Sequence, residues 1–149
     1  MSHVKQSNVQ NNLILSENLQ NSTKQTGELG EDIAVKHFVK HHFRILDRNY
    51  WKKWGEIDIV AEKDKILHFI EVKSISLKGA NAVSQANNYQ PEENMHFWKR
   101  KRLANTIKTY LAEKKVAEAT EWQVDVVAIF LDFKTRRAKI RVTENIILL

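Results

Sequence analysis

Three ionisable residues interrupt two apolar stretches of this chain. Asp58 sits in Gly55-Glu56-Ile57-Asp58-Ile59-Val60, and Glu71 and Lys73 sit in Ile66-Leu67-His68-Phe69-Ile70-Glu71-Val72-Lys73. Between them Glu62-Lys63-Asp64-Lys65 reads as a charged turn, so the spacing predicts a β-hairpin. Side chains alternate across a strand, which puts Glu71 and Lys73 on one face and Ile70 and Val72 on the other. A turn with an even number of residues brings Asp58 to the Glu71 face. Two carboxylates and an ammonium then meet on a sheet of Ile, Val, Leu and Phe, where charge is costly unless it is paired or holds a metal.

An acid on one strand and Glu-x-Lys on the next suit metal-dependent phosphodiester hydrolysis. Mg²⁺ takes hard oxygen ligands and is usually held by one or two carboxylates together with waters and phosphate. Asp58 and Glu71 supply such ligands, and the Val72 carbonyl adds a third oxygen. A metal there acidifies a water and orients the phosphate, and Mn²⁺ is the expected substitute for Mg²⁺. Lys73 is placed to position the attacking water or to stabilise charge developing at phosphorus. The plainer reading of Glu71 and Lys73 is an exposed pair on a half-solvated strand, worth little to stability.

The elements around the hairpin follow from periodicity. Thr26 reads as an N-cap, and a helix over about 27–42 would carry Ala34, Val35 and Phe38 on the same side as Glu31. Glu31 is then either an inward-looking acid that completes the metal shell or a first-turn carboxylate favoured by the helix dipole. Gly27 and Gly30 would let a neighbour or a ligand approach closely. Phe43 to Asn49 reads as a strand preceding the hairpin. Residues 76–91 read as a long polar loop, of the kind that tends to be functional or mobile. A second helix is expected from about Pro91 to Lys115, with Leu103, Ala104, Ile107, Tyr110 and Leu111 as its apolar stripe. Lys99 and Arg100 extend that inward face, whereas Lys101, Arg102 and Lys108 point to solvent. Trp122 to Phe130 is a further strand, with Val124, Val126, Ala128 and Phe130 on one face and Asp125, Val127 and Ile129 on the other. A basic turn leads to a last strand over Ala138–Val142. Helix, three strands, helix, two strands is the pattern of an α/β protein with a mixed central sheet flanked by helices.

The chain has 149 residues, 42% of them hydrophobic and 28% charged, in the range of a globular protein with room for one substantial core. Residues 26–149 are expected to form a single domain. Residues 1–25, rich in Asn, Gln and Ser with one apolar patch at Leu13-Ile14-Leu15, are expected to be a disordered extension, with scope for a single helical turn or an added strand. The absence of cysteine excludes disulfides, thiol catalysis and thiolate metal sites. No apolar run is long enough to cross a bilayer, and no apolar leader is visible, so a cytoplasmic location is expected. The net charge of +6 is concentrated in 96–115 and 132–141, the footprint of a partner with a phosphate backbone.

These stretches also carry a resemblance. Gly27-Glu28-Leu29-Gly30-Glu31-Asp32-Ile33-Ala34, Arg48-Asn49-Tyr50, Gly55–Val60 and Phe69–Lys73, followed by Lys99-Arg100-Lys101-Arg102-Leu103 and Val124-Asp125-Val126-Val127, resemble the YraN family over about residues 26–130. That family comprises small bacterial proteins with the restriction-endonuclease-like fold, similar to archaeal Holliday junction resolvases. The resemblance implies a PD-(D/E)xK nuclease core with Glu31, Asp58, Glu71 and Lys73 at the matching positions and Lys99 as a further lysine for phosphate. Ile75 departs from it, standing where the family often has an arginine.

The expected function is therefore a Mg²⁺-dependent endonuclease acting on DNA, with branched recombination or repair intermediates among the candidate substrates. Asp58, Glu71 and Glu31 are the expected metal ligands. Lys99, Arg100, Lys101 and Arg102 are the expected nucleic-acid contacts, and Tyr50, Trp51 and Trp54 could stack on unpaired bases. A resolvase would act as a homodimer, matching paired scissile strands with paired sites. The alternative is a non-catalytic nucleic-acid-binding module that keeps the nuclease fold.

Overall fold

The structure is a computed structural model that describes residues 5–11, 23–78, 82–90 and 95–148. Its elements are β1 (Gln6–Asn11), α1 (Thr23–Lys40), β2 (Arg44–Lys52), β3 (Gly55–Lys63), β4 (Ile66–Ser76), α2 (Ala82–Asn88), α3 (Phe97–Glu113), β5 (Trp122–Asp132) and β6 (Arg137–Thr143). The strands form one mixed sheet in the order β1-β6-β5-β4-β3-β2, in which only β4 and β5 run parallel. This is an α/β fold compatible with a restriction-endonuclease-like core. Antiparallel neighbours need only a short turn, but parallel β4 and β5 need a crossover, and α2 and α3 provide it.

The two faces of the sheet bury different helices. Ile33, Ala34 and Phe38 of α1 pack on Ile59, Ala61, Ile70, Val127, Ile129 and Ile140. Leu103, Ile107 and Tyr110 of α3 pack on Ile57, Phe69, Val124 and Val126 of the opposite face. The expected alternation along β5 holds, with Val124 and Val126 towards α3 and Val127 and Ile129 towards α1. So does the division of α3: Lys101, Arg102 and Lys108 are exposed, while Lys99 and Arg100 are partly buried.

Four expectations are corrected. The first helix begins at Thr23, so Thr26 lies inside it rather than capping it. The charged turn shrinks to Asp64-Lys65, both with positive φ (51° and 65°), the geometry of a two-residue hairpin whose twist matches its strands. The polar loop contains α2, whose Ala86 packs with Ile75, Ala128 and Phe130. Ile75 thus has a packing role. Finally, residues 6–11 of the extension are ordered, as the added strand for which the sequence leaves scope, and form an edge antiparallel to β6. Backbone ladder bonds carry such a strand, so a polar composition does not exclude it. The remainder of residues 1–22, Leu13-Ile14-Leu15 included, and Pro91 lie outside the described residues, apart from Lys5; α3 itself begins at Phe97.

Candidate active site

The site lies where the β3–β4 ladder ends. Paired residues run from Lys63↔Ile66 to Ile59↔Ile70, and the next opposed pair, Asp58 and Glu71, is outside the ladder. Ile57 packs towards α3 and Ile59 towards α1, so strict alternation breaks at Asp58. The side chain replaces the missing backbone contact: Val72 N–H donates to Asp58 Oδ2 at 2.7 Å. That bond fixes the carboxylate at the fork between the strands.

Each helix adds a group from its own face. Gly30 lets α1 press onto β4, since a Cβ there would overlap Ser74 Oγ. The close approach carries Glu31 to the edge of the fork, beside the open backbone at Gly27. From the other face, Lys99 in the first turn of α3 pairs with Glu71 Oε1, and Lys73 Nζ lies 3.5 Å from the same oxygen. The result is a cleft of about 460 Å³ lined by Glu31, Glu56, Asp58, Glu71, Lys73 and Lys99, among others. All four residues expected to be catalytic therefore border one cavity. Glu56 borders it too, which the sequence had offered only as a neighbour of Asp58.

Electrostatics distinguish the members. Burial, and then the charge of Glu71, push the Asp58 carboxyl up to about 8, against which the Val72 N–H works. Burial and Glu56 raise Glu31, with Arg48 and an Asn49 hydrogen bond opposing. Lys73 falls below its ordinary value through burial and the neighbouring Lys99. Burial acts the same way on Lys99, but Glu71 outweighs it and holds that ammonium above its usual range.

The donor set fits a hard divalent cation through two carboxylates, Asp58 and Glu71, whose mutual repulsion adds to the larger cost of burying Asp58. Among the described residues no three His, Cys, Asp or Glu side chains gather closely enough to share an ion. Glu31 therefore borders the cleft without joining one three-carboxylate cluster.

Other expected contacts separate. Lys101 and Arg102 are exposed on α3, but the Arg100 guanidinium is turned to the Met95 and Ile147 carbonyls. Arg141, in the second basic segment, is buried over Phe130 and donates to Ala86 and Tyr89 carbonyls, which ties α2 to the sheet. Tyr50 donates to Glu113 and its ring meets Tyr110 edge-on, so it is a packing residue, whereas Trp51 and Trp54 are exposed. Two features were missed. Phe97 and Trp98 are exposed just ahead of Lys99, signalled only by two aromatics standing off the apolar stripe. His68 and Asp125 form a buried 2.6 Å pair between β4 and β5, signalled by polar residues inside apolar strands.

The model of an uncharacterised protein family, UPF0102, matches residues 30–129, which include Glu31, Asp58, Glu71, Lys73 and Lys99. The chain belongs to the UPF0102 family. A UPF0102 protein of Campylobacter hominis is 39% identical over 116 residues, covering 78% of this chain and 88% of the relative. One from Campylobacter lari is 38% identical over 120 residues, covering 80% and 91%. A more distant one from Caldicellulosiruptor bescii is 33% identical over 123 residues, covering 82% and 96%. The resemblance to YraN is thereby borne out, and the family, being uncharacterised, brings no activity. No helix among the described residues is long and apolar enough to cross a membrane.

Proposed function

We propose that the fork between β3 and β4 is the active site of a metal-dependent nuclease that hydrolyses phosphodiester bonds of DNA. The observation that carries this reading is the pairing of Asp58 and Glu71 at the end of a hydrogen-bonded ladder, buried beside one another at an evident electrostatic cost. A fold keeps such a cost where function needs it. Asp58 and Glu71 would hold Mg²⁺ or Mn²⁺, with Glu31 adjusting the arrangement from α1. A divalent cation bound there supplies an acidified water and charge neutralisation at the phosphate.

The residues of the chain divide the remaining work. The Val72 N–H fixes the Asp58 carboxylate, so the ligand oxygen is set before substrate arrives. Lys73, partly buried and held below its usual pKa, is suited to taking a proton from the attacking water or to donating a hydrogen bond to the phosphate. Lys99 stays charged beside Glu71 and can turn to a phosphate oxygen once that carboxylate has another partner. Lys101 and Arg102, exposed on the next turn, supply backbone contacts.

One observation favours a second reading. Lys99 already neutralises Glu71, as it would in a structural charge cluster of a non-catalytic binding module. Binding and cutting separate the two. In the nuclease, Asp58→Asn abolishes cutting of labelled DNA in Mn²⁺ while leaving DNA affinity within about threefold, because affinity rests on phosphate contacts. In the binding module, no DNA is cut by wild type in either metal, and only loss of Lys101 or Arg102 matters.

A further inference from the structure

Exposed aromatic side chains stand next to cleft-lining residues along the chain or across a strand pair. Among the described residues seven large hydrophobics are exposed, and four of them are Trp51, Trp54, Phe97 and Trp98. Trp51 is the cross-strand partner of Glu56, which lines the cleft, so it stands on the cleft face of the β2–β3 hairpin. Trp54 precedes Gly55, whose missing side chain lets that hairpin lie against α3. A Cβ there would come within 3.2 Å of the Arg102 carbonyl. On the α3 side, Phe97 and Trp98 meet edge to face at 5.3 Å, and Trp98 adjoins Lys99, the lysine paired with Glu71.

Cations are interleaved with these rings. Lys101 Nζ lies 5.5 Å from the centre of the Trp98 ring, and Arg102 is one turn beyond Trp98. Lys53 stands between Trp51 and Trp54, and residues 97–102 contain no acid. A surface that joins exposed indoles to lysine and arginine matches a ligand with flat apolar faces on a polyanionic backbone. Unpaired nucleotides have that chemistry, whereas in an intact duplex the base faces are covered.

We infer that the cleft margins are a stacking platform for unpaired nucleotides, so that the strand delivered to Asp58 and Glu71 is single-stranded beside the scissile phosphate. The delivery half of this inference rests on the nuclease reading; the platform itself does not. Bases stack on Trp98 and Trp51 while Lys101 and Arg102 follow the phosphates, which makes flaps, gaps and frayed junctions better substrates than blunt duplex.

The test uses the full chain in EDTA, where no cutting can occur, titrated with an oligothymidine or with a blunt duplex of equal length. Of the four tryptophans, Trp51, Trp54 and Trp98 belong to the inferred platform and Trp122 opens β5, so intrinsic fluorescence reports stacking. Oligothymidine should quench that fluorescence. Trp98→Ala and Trp51→Ala should each weaken its binding about 5- to 100-fold, leave duplex binding within about twofold, and differ from a neutral Trp122→Phe control. Circular dichroism confirms that each variant is folded. The inference is overturned if oligothymidine does not bind, if both DNAs lose affinity equally, or if the substitutions change only self-association or adsorption to anionic phospholipid vesicles. Stacking in a protein that never cuts DNA would remove the nuclease reading and leave the platform. Metal-dependent cutting that is indifferent to both tryptophans would do the reverse.

Discussion

Asp58 and Glu71 face one another where two strands stop pairing, and the physical state of Asp58 follows from that position. Its carboxyl is raised to about 8 in the fold against an ordinary 3.8. Between those values the folded chain keeps a proton that the unfolded chain releases, so this group's contribution makes stability fall as pH rises through that window. In EDTA, Asp58→Asn should therefore melt higher than wild type at pH 8, by several degrees for a penalty above ~1 kcal/mol. The difference should vanish below pH 4, and a thermal melt at both pH values checks it. The same proton competes with metal. Mn²⁺ affinity, read by titration calorimetry, should weaken by up to ~10-fold per pH unit below pH 8; constant affinity would count against a carboxylate site.

At the scale of elements, the site depends on how closely two helices approach the fork. Gly30→Ala should cost ~1–3 kcal/mol by urea unfolding, because its methyl group meets Ser74 on β4. Adding Ser74→Gly should recover part of that loss, since the clash is with the serine side chain. Elements were largely legible in the sequence, because periodicity reports burial: the apolar stripe of α3 and the alternation of β5 were both anticipated. Boundaries were less so. Thr26 looked like a cap, yet α1 starts at Thr23, and capping residues are common enough to mislead. α2 was hidden in polar residues whose helical turn is secured by Arg141 from a distant strand. The site acids were visible as charges out of place in apolar strands. What the sequence could not convey was that Lys99 reaches Glu71 or that Arg100 turns away, because both depend on where α3 crosses the sheet.

Across the whole molecule, the sheet separates stability from chemistry. The fork opens between β3 and β4 on one side of the centre, while β1 closes the opposite edge on β6. Deleting residues 1–11 exposes the β6 edge and should lower the melting temperature and increase light scattering on heating, since an unpaired edge invites association. The geometry of the fork should survive, so any metal-dependent cutting should persist at low temperature within about threefold, because among the described residues none that lines the cleft is removed. A loss of activity in a folded truncation would mean that the arm contributes to the cleft.

The most direct measurement is cleavage of end-labelled linear, flapped and four-way-junction DNA in Mg²⁺, Mn²⁺ or EDTA, with wild type beside Asp58→Asn and Lys73→Ala. The arrangement at the fork predicts cutting that requires metal and falls at least ~100-fold in both variants. Wild type that binds these DNAs and leaves them intact in both metals would contradict it, as would cutting that is indifferent to Asp58.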